Sequence, residues 1–124
     1  PQEFREASNK AIQWAENNLT PTVINNQPAK RSLVQTADGH VIGVGKKFFS
    51  ETAAKAIHDP DVVHVLKTAT EFNEWLPHAT LVRTEQGRHH NCMFSVYHVV
   101  YQGQTIEFKC KMTDGELLYM MKFI

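Results

Sequence analysis

The sequence predicts an α+β domain, with N-terminal helices packed on one face of a C-terminal four-stranded antiparallel β-meander. Apolar residues recur at helical spacing in much of the first part of the chain. After residue 79, apolar and polar residues alternate instead, as they do in half-buried strands. Helices first and strands last favour helices layered on one side of a single sheet. The predicted strands of the meander are 80–85, 88–101, 104–113 and 116–123.

Three helices are predicted before the meander, at residues 2–19, 50–58 and 61–75. Pro21 and Pro77 end the first and the third, because proline lacks the amide hydrogen that a helix interior needs. Ser50 is a residue type that often caps a helix N-terminus, so the second helix is predicted to begin there. Asp59-Pro60 separates the second helix from the third. Short strands are predicted between the first two helices, at residues 33–36 and 40–44.

Two tight turns set the predicted register of the meander. Gln102-Gly103 and Asp114-Gly115 each lie between alternating segments, and such dipeptides are typical of two-residue hairpin loops. The predicted pairs are His98 with Glu107, Phe108 with Met121, Cys110 with Tyr119 and Met112 with Leu117. One face then carries the apolar side chains. Tyr119 falls on that face, so it is predicted to be a core residue first and a catalytic hydroxyl second.

The opposite face of the predicted meander collects polar side chains, because successive residues of a strand point to opposite sides. Its members are His98, Thr105, Glu107, Lys109, Lys111 and Lys122. Lys46 and Lys47 lie elsewhere, where a strand is predicted to enter a helix, and a helix N-terminus favours anions. The apolar face is predicted to be the core and the polar face a candidate site.

Two histidines follow the turn that is predicted after Gln86. Pairing across this turn places His90 beside Arg83 on the polar face and turns His89 toward the core. A single bulge would exchange the two histidines, so both are candidate site residues. A histidine pair at an exposed turn with no function is the alternative.

The composition restricts the classes of function. The formal net charge is zero, with 13 basic and 13 acidic residues, which argues against coating nucleic acid by bulk electrostatics. A net charge of zero is still compatible with a local basic pocket that binds one or two phosphates. No apolar run is long enough to span a bilayer, so no membrane partner is expected. Cys92 and Cys110 are predicted on opposite faces and therefore unpaired. The 124 residues suffice for one domain, and because they open with Pro1 we expect the C-terminal domain of a longer polypeptide.

Seven histidines are more than expected and indicate acid–base or metal chemistry, although scattered surface histidines would give the same number. His58 and His64 are the nearest approach to a ligand pair, yet neither a His-x-x-x-His nor a Cys-x-x-Cys spacing occurs. Gly43 and Gly45 lack the remaining residues of a phosphate-binding loop. Neither a metal nor a cofactor is therefore expected.

The order of several short segments resembles a known family. They are Ala11-Ile12-Gln13-Trp14-Ala15, Ile42-Gly43-Val44-Gly45-Lys46-Lys47, Trp75-Leu76-Pro77-His78-Ala79, His89-His90, Phe94-Ser95-Val96-Tyr97, Tyr101-Gln102-Gly103, Phe108-Lys109-Cys110-Lys111 and Gly115-Glu116-Leu117-Leu118-Tyr119. Over most of its length the chain is similar to the barnase/EndoU/colicin/RelE-like (BECR) nuclease domains, in their phage-borne large-polyvalent-protein and polymorphic-toxin versions. The resemblance implies a metal-independent ribonuclease toxin that acts in the cytoplasm of a bacterial target cell, delivered as part of a larger toxin. It also implies a cognate immunity protein.

Cleavage of RNA through its own 2′-hydroxyl needs a base, an acid and cations that stabilise the charge on the phosphorane. His98 and His90 are the candidate proton-transfer residues, and Lys109 and Lys111 the candidate catalytic cations. The candidate substrate-binding residues are Arg83, Thr105, Glu107, Lys46, Lys47 and His89. Two alternatives stay open. The polar face is an ordinary solvated sheet surface, or the domain is a non-catalytic protein-binding module of a phage or mobile-element protein.

Overall fold

The computed structural model describes residues 2–88, 91–113 and 115–124. Its helices are α1 (Gln2–Asn18), α2 (Lys46–Lys55), α3 (Val62–Thr70) and α4 (Phe72–Trp75), followed by a 3-10 turn at Leu76–His78. Its strands are β1 (Pro21–Ile24), β2 (Gln27–Gln35), β3 (Val41–Gly45), β4 (Thr80–Gln86), β5 (Met93–Tyr101), β6 (Gln104–Met112) and β7 (Glu116–Phe123). Within these ranges, no helix combines the length and apolar character needed to cross a membrane.

The described strands form a seven-stranded mixed sheet in the order β1-β2-β3-β7-β6-β5-β4. The α+β class is confirmed, but the predicted four-stranded sheet is not. Three further strands come from residues 21–45, where the sequence predicts only two short ones. β4 to β7 pair antiparallel in succession, and β7 also pairs in parallel with β3 through Ile42–Glu116 and Gly43–Leu117.

The hydrophobic core lies between the helices and one face of the sheet. Tyr97 and Phe108 are neighbours across β5 and β6, and their rings stack with centroids 4.9 Å apart. Trp75 caps this stack, and its Nε1 donates a hydrogen bond of 2.8 Å to the Thr68 carbonyl. Burial of each such large side chain contributes roughly 1.5–3 kcal/mol. The helices cover this face. The opposite face of β4–β7, which we call the open face, carries partly exposed polar side chains such as His98 and Lys109, together with the buried Val96, Glu107 and Met120.

The first hairpin of the meander has the predicted register. Every pair from Phe94–Lys111 to Tyr101–Gln104 is as predicted, including His98 with Glu107. Gln102 and Gly103 have φ angles of 51° and 78°, as a two-residue turn with a right-handed strand twist requires.

The second hairpin has the predicted register only in the half that lies away from its turn, from Ile106–Phe123 to Lys109–Met120. The observed pairs are Phe108–Met121, Lys109–Met120, Cys110–Leu118 and Met112–Glu116. The first two have the predicted register, whereas the predicted partners of Cys110 and Met112 are wrong by one residue. Tyr119 is left without a partner as the extra residue of a β-bulge, which shifts the register between the two halves. The connection is therefore one residue longer than the predicted turn. Asp114 lies outside the described residues.

The connection between β4 and β5 differs more from the prediction. β5 begins at Met93 rather than at residue 88, because the Gly87 amide donates to the Cys92 carbonyl at 2.7 Å and closes a longer loop. Arg83 consequently pairs with Val96, and its predicted pairing with His90 is wrong. His89 and His90 themselves lie outside the described residues.

Two helices also have bounds that differ from the prediction. α2 begins at Lys46, with Gly45 in the cap position, and the Ser50 hydroxyl donates to the Lys47 carbonyl inside the helix. The third predicted helix is interrupted at Glu71, which separates α3 from α4. Cys92 and Cys110 are free, as predicted.

Candidate functional site

A row of three polar residues crosses the open sheet face. His98 lies opposite Glu107, and Glu107 lies opposite Lys122 on the next strand. The tight turn after β5 fixes the first pair, and the outer half of the second hairpin fixes the other. Because both registers hold in this region, the sequence prediction that these side chains share one face is right.

His98 and Glu107 form a close pair. His98 Nε2 lies 2.8 Å from Glu107 Oε2. An ionised carboxylate has no proton to donate, so the neutral imidazole must donate through Nε2 and keep Nδ1 as its acceptor. Nδ1 has no hydrogen-bond partner among the described residues, and the His98 side chain is 32% exposed. The geometry therefore produces an oriented imidazole whose Nδ1 contacts no hydrogen-bond partner in the described part of the chain.

Two cations flank the carboxylate of this pair. Arg83 Nη2 lies 3.6 Å from Glu107 Oε2, and Lys122 Nζ lies 3.8 Å from Oε1. Burial raises the pKa of Glu107, since only 10% of its side chain is exposed. The hydrogen bond from His98 and the charges of Arg83 and Lys122 outweigh burial, so the pKa lies below its ordinary value. Glu107 is thus anionic at neutral pH.

Glu85 holds a second carboxylate among the cations of the face. Lys109 Nζ lies 2.7 Å from Glu85 Oε1, and Arg83 Nε lies 3.3 Å from Oε2. The hydrogen bond from Lys109 lowers the pKa of Glu85, with a smaller effect from Arg83. Arg83 therefore bridges the two carboxylates and links Lys109 to the His98–Glu107 pair.

The other predicted site residues divide into two groups. Lys111 and Thr105 lie on the same strand face as Glu107, by alternation along β6, and both are half-buried. Lys46 lies elsewhere, because its Nζ pairs with Glu16 of α1 at 2.7 Å. Lys47 lines a groove together with Lys111 at the far end of the face.

Two aromatic rings on the open face were not predicted as site residues. The bulge in β7 removes Tyr119 from the core and brings its ring beside Phe94, with centroids 5.3 Å apart. Phe94 pairs with Lys111, and Lys109 Nζ lies 5.9 Å from the centre of its ring. The prediction that Tyr119 is a core residue is therefore wrong. The sequence signal is weak, since a one-residue bulge leaves no motif.

A second polar cluster lies on the opposite side of the sheet and was also missed. The Glu116 carboxylate accepts hydrogen bonds from Ser95 Oγ at 2.6 Å and from Tyr97 OH at 2.5 Å. His40 Nδ1 lies 2.8 Å from its other oxygen. Burial raises the pKa of Glu116. The three hydrogen bonds together lower it by more, so the pKa lies below its ordinary value. The cluster ties the start of β3 to β5 and β7.

Within the described ranges, no group of three or more His, Cys, Asp or Glu side chains has an arrangement that could hold a metal ion. No protein-family model matches the chain, and neither a curated protein nor a solved structure is significantly similar to it. The chemistry of the open face is therefore the basis for a functional assignment.

Proposed function

We propose that this protein is an endoribonuclease that cleaves RNA through the 2′-hydroxyl, without a metal ion, on the open face of β4–β7. The observation that carries the proposal is the His98–Glu107 pair with Arg83 and Lys122 beside it. An oriented imidazole, a fixed carboxylate and adjacent cations are the groups that this reaction needs. The proposal includes a toxin role in a bacterial cytoplasm and an immunity protein as partner, both supported by the BECR resemblance of the sequence.

In the proposed reaction, His98 Nδ1 takes the proton of the 2′-hydroxyl while the 2′-oxygen forms a bond to phosphorus. The bond from phosphorus to the 5′-oxygen breaks, and the leaving oxygen receives a proton from a second group. The sequence prediction for that group is His90, which lies outside the described residues. The products are a 2′,3′-cyclic phosphate and a 5′-hydroxyl. Arg83 and Lys122 would stabilise the charge that develops on the phosphorane. Glu107 would keep His98 in the reactive tautomer and stabilise its cation.

Purified protein incubated with total RNA and a chelator tests the proposal. Fragments that end in a 2′,3′-cyclic phosphate are expected, and His98→Ala should slow their formation by about 100-fold or more, the usual contribution of a general acid or base. His58 is exposed, so His58→Ala is the matched control and should retain the wild-type rate. Equal rates for the two variants would contradict the assignment of His98.

A non-catalytic protein-binding module is the second candidate, and one observation favours it. Lys109 and Arg83 are already held by Glu85, which reduces the charge available to a phosphate. Intact RNA after incubation with wild-type protein, together with normal growth of cells that express the domain, would support this candidate and contradict the nuclease.

A further inference from the structure

A groove runs along β7 between α2 and the open sheet face. Its central part has a volume of about 430 Å³, and depressions of about 330 and 210 Å³ continue it at the two ends. Lys55 and Met120 line both the central part and one end, and Lys111 and Tyr119 line both the central part and the other. The three parts therefore adjoin one another, and we call them together the α2–β7 groove.

The described lining of the groove is strongly basic. Six cationic side chains line it, namely Lys47, Lys55, Arg88, Lys109, Lys111 and Lys122, against the carboxylate of Asp59 in the lining and that of Glu51 beside Tyr119. Lys47, Lys55, Arg88 and Lys111 make no ion pair with any described residue. Since the chain as a whole has no net charge, this excess is local, and it suits a polyanion that follows the groove.

The floor of the groove contains aromatic and apolar groups. Tyr119 and Phe94 line its central part next to Met120, and both rings are only partly buried. Burial and the nearby Glu51 carboxylate raise the pKa of Tyr119, so its phenol stays neutral at physiological pH. The ring therefore offers a flat, uncharged face between lysines. Such a face stacks with an unpaired nucleobase of any sequence, whereas the bases of a duplex are already stacked on one another.

The groove leads to the proposed cleavage site. Lys122 lines one end and contacts Glu107 at 3.8 Å, and Lys109 lines the same end and contacts Glu85 at 2.7 Å. A strand lying in the groove would thus pass Lys55 and Lys111 and reach Lys122, which Glu107 links to His98.

From this arrangement we infer that the α2–β7 groove binds single-stranded RNA beside the scissile phosphate, with phosphates on Lys55, Arg88 and Lys111 and one base stacked on Tyr119. The inference rests on the proposed function, since it names the substrate class of that site. It attributes the preference for single strands to the Tyr119 ring in the groove, and not to the His98–Glu107 pair.

Binding of a fluorescent RNA oligonucleotide, made non-cleavable by 2′-O-methylation, tests the inference by anisotropy over a salt series. Lys55→Ala/Lys111→Ala should weaken binding and reduce the salt slope by about 1.4, since each phosphate contact to a single strand contributes about 0.7. Lys10→Ala/Lys67→Ala removes the same charge from exposed residues of α1 and α3, and it should change neither quantity beyond a small uniform effect.

Tyr119→Leu keeps an apolar contact with Phe94 but removes the stacking face, and it should weaken single-strand binding by roughly five-fold or more. A duplex of the same sequence should bind more weakly than the single strand and should be indifferent to this variant. Equal affinities for the groove variants and the wild type, or tighter binding of the duplex, would overturn the inference. Absence of binding to either RNA would also overturn it and would favour an acidic protein as occupant.

The same preparations separate this inference from the proposed function. Cleavage that depends on His98 but not on the groove variants would leave the nuclease in place and remove the groove as its substrate track. Binding that depends on Lys55, Lys111 and Tyr119, in a protein that leaves RNA intact, would support the groove as a single-strand site and contradict the nuclease.

Discussion

Glu85 governs how much positive charge the open sheet face presents to a phosphate. It holds Lys109 at 2.7 Å and Arg83 at 3.3 Å, and about a third of its own side chain is exposed. Glu85→Gln keeps the size of the side chain but removes the charge that neutralises both cations. Because a partly exposed ion pair contributes up to about 1 kcal/mol, RNA affinity should rise by roughly two- to five-fold. Fluorescence anisotropy with the non-cleavable oligonucleotide measures this change in affinity.

Glu71→Gln is the matched control for Glu85→Gln. Glu71 is also half-buried, but it contacts the Tyr101 hydroxyl at 3.2 Å rather than a cation of the open face. Unchanged or weaker RNA binding by the Glu85 variant would show that Lys109 and Arg83 do not contact the substrate. That result would also favour the protein-binding module over the nuclease.

The residues of the candidate site differ in how far the sequence could predict them. His98 and Glu107 were predictable because a two-residue turn fixes their register, and only the short segment around that turn matters. The role of Glu116 was not predictable, because its partner His40 is 76 positions away in the sequence. The two residues meet only because β3 pairs in parallel with β7. Turn chemistry is local and is written in two or three residues, whereas contacts between distant strands depend on the packing of the whole sheet.

At the scale of elements, the β5–β6 hairpin is the part of the fold on which the site depends most. Gly103 has a φ of 78°, and an added Cβ there would meet no atom within 4 Å. Any cost of substitution therefore comes from the backbone conformation and not from a clash. Gly103→Val should lower the free energy of unfolding by about 1–3 kcal/mol, because a β-branched residue is strained at positive φ.

Gly103→Asn is the matched control for that prediction, since asparagine tolerates the left-handed conformation well. Urea unfolding of the two variants should differ clearly, with the Asn variant near the wild type. If Val and Asn had equal effects, the turn would not be what sets the register, and the His98–Glu107 alignment would need another cause.

The β6–β7 hairpin shows why element type is easier to predict than register. Its two strands were predicted from alternation, but alternation cannot report a single extra residue that faces the wrong way. The bulge at Tyr119 transfers a large aromatic side chain from the predicted core to the open face. The groove that we assign to RNA thus contains a ring that a regular hairpin would have buried.

At the scale of the whole molecule, the class of fold was predictable and the extent of the sheet was not. Helical and strand periodicities are properties of short windows, so α+β follows from the sequence directly. Among the described residues, the N-terminal strands pair with the meander through only two residue pairs, both between β3 and β7. The two predicted lysines are separated because they are successive residues of α2, which point about 100° apart around the helix. Lys46 faces α1, and Lys47 faces the β6–β7 end.

Two carboxylates on opposite sides of the sheet link the stability of the whole fold to pH. The pKa values of Glu107 and Glu116 both lie below the ordinary 4.5, since hydrogen bonds and cations outweigh burial at each. Below 4.5 the unfolded chain binds these protons more tightly than the folded one, so stability falls as pH decreases through the folded pKa values. The free energy of unfolding should therefore be steady above about pH 5 and fall steeply toward pH 3.

Urea unfolding of Glu107→Gln and Glu116→Gln, followed from pH 7 to pH 3, tests this linkage. Each variant should be less stable at neutral pH by roughly 1–3 kcal/mol, because a partly buried polar partner is lost, and each should show a shallower acid slope. Glu3→Gln removes a carboxylate from an exposed position of α1 and should leave that slope as it is. A slope that stays unchanged in the Glu107 variant would mean that its carboxylate is not held by His98, Arg83 and Lys122 in solution. The oriented imidazole on which the proposed cleavage depends would then be lost as well.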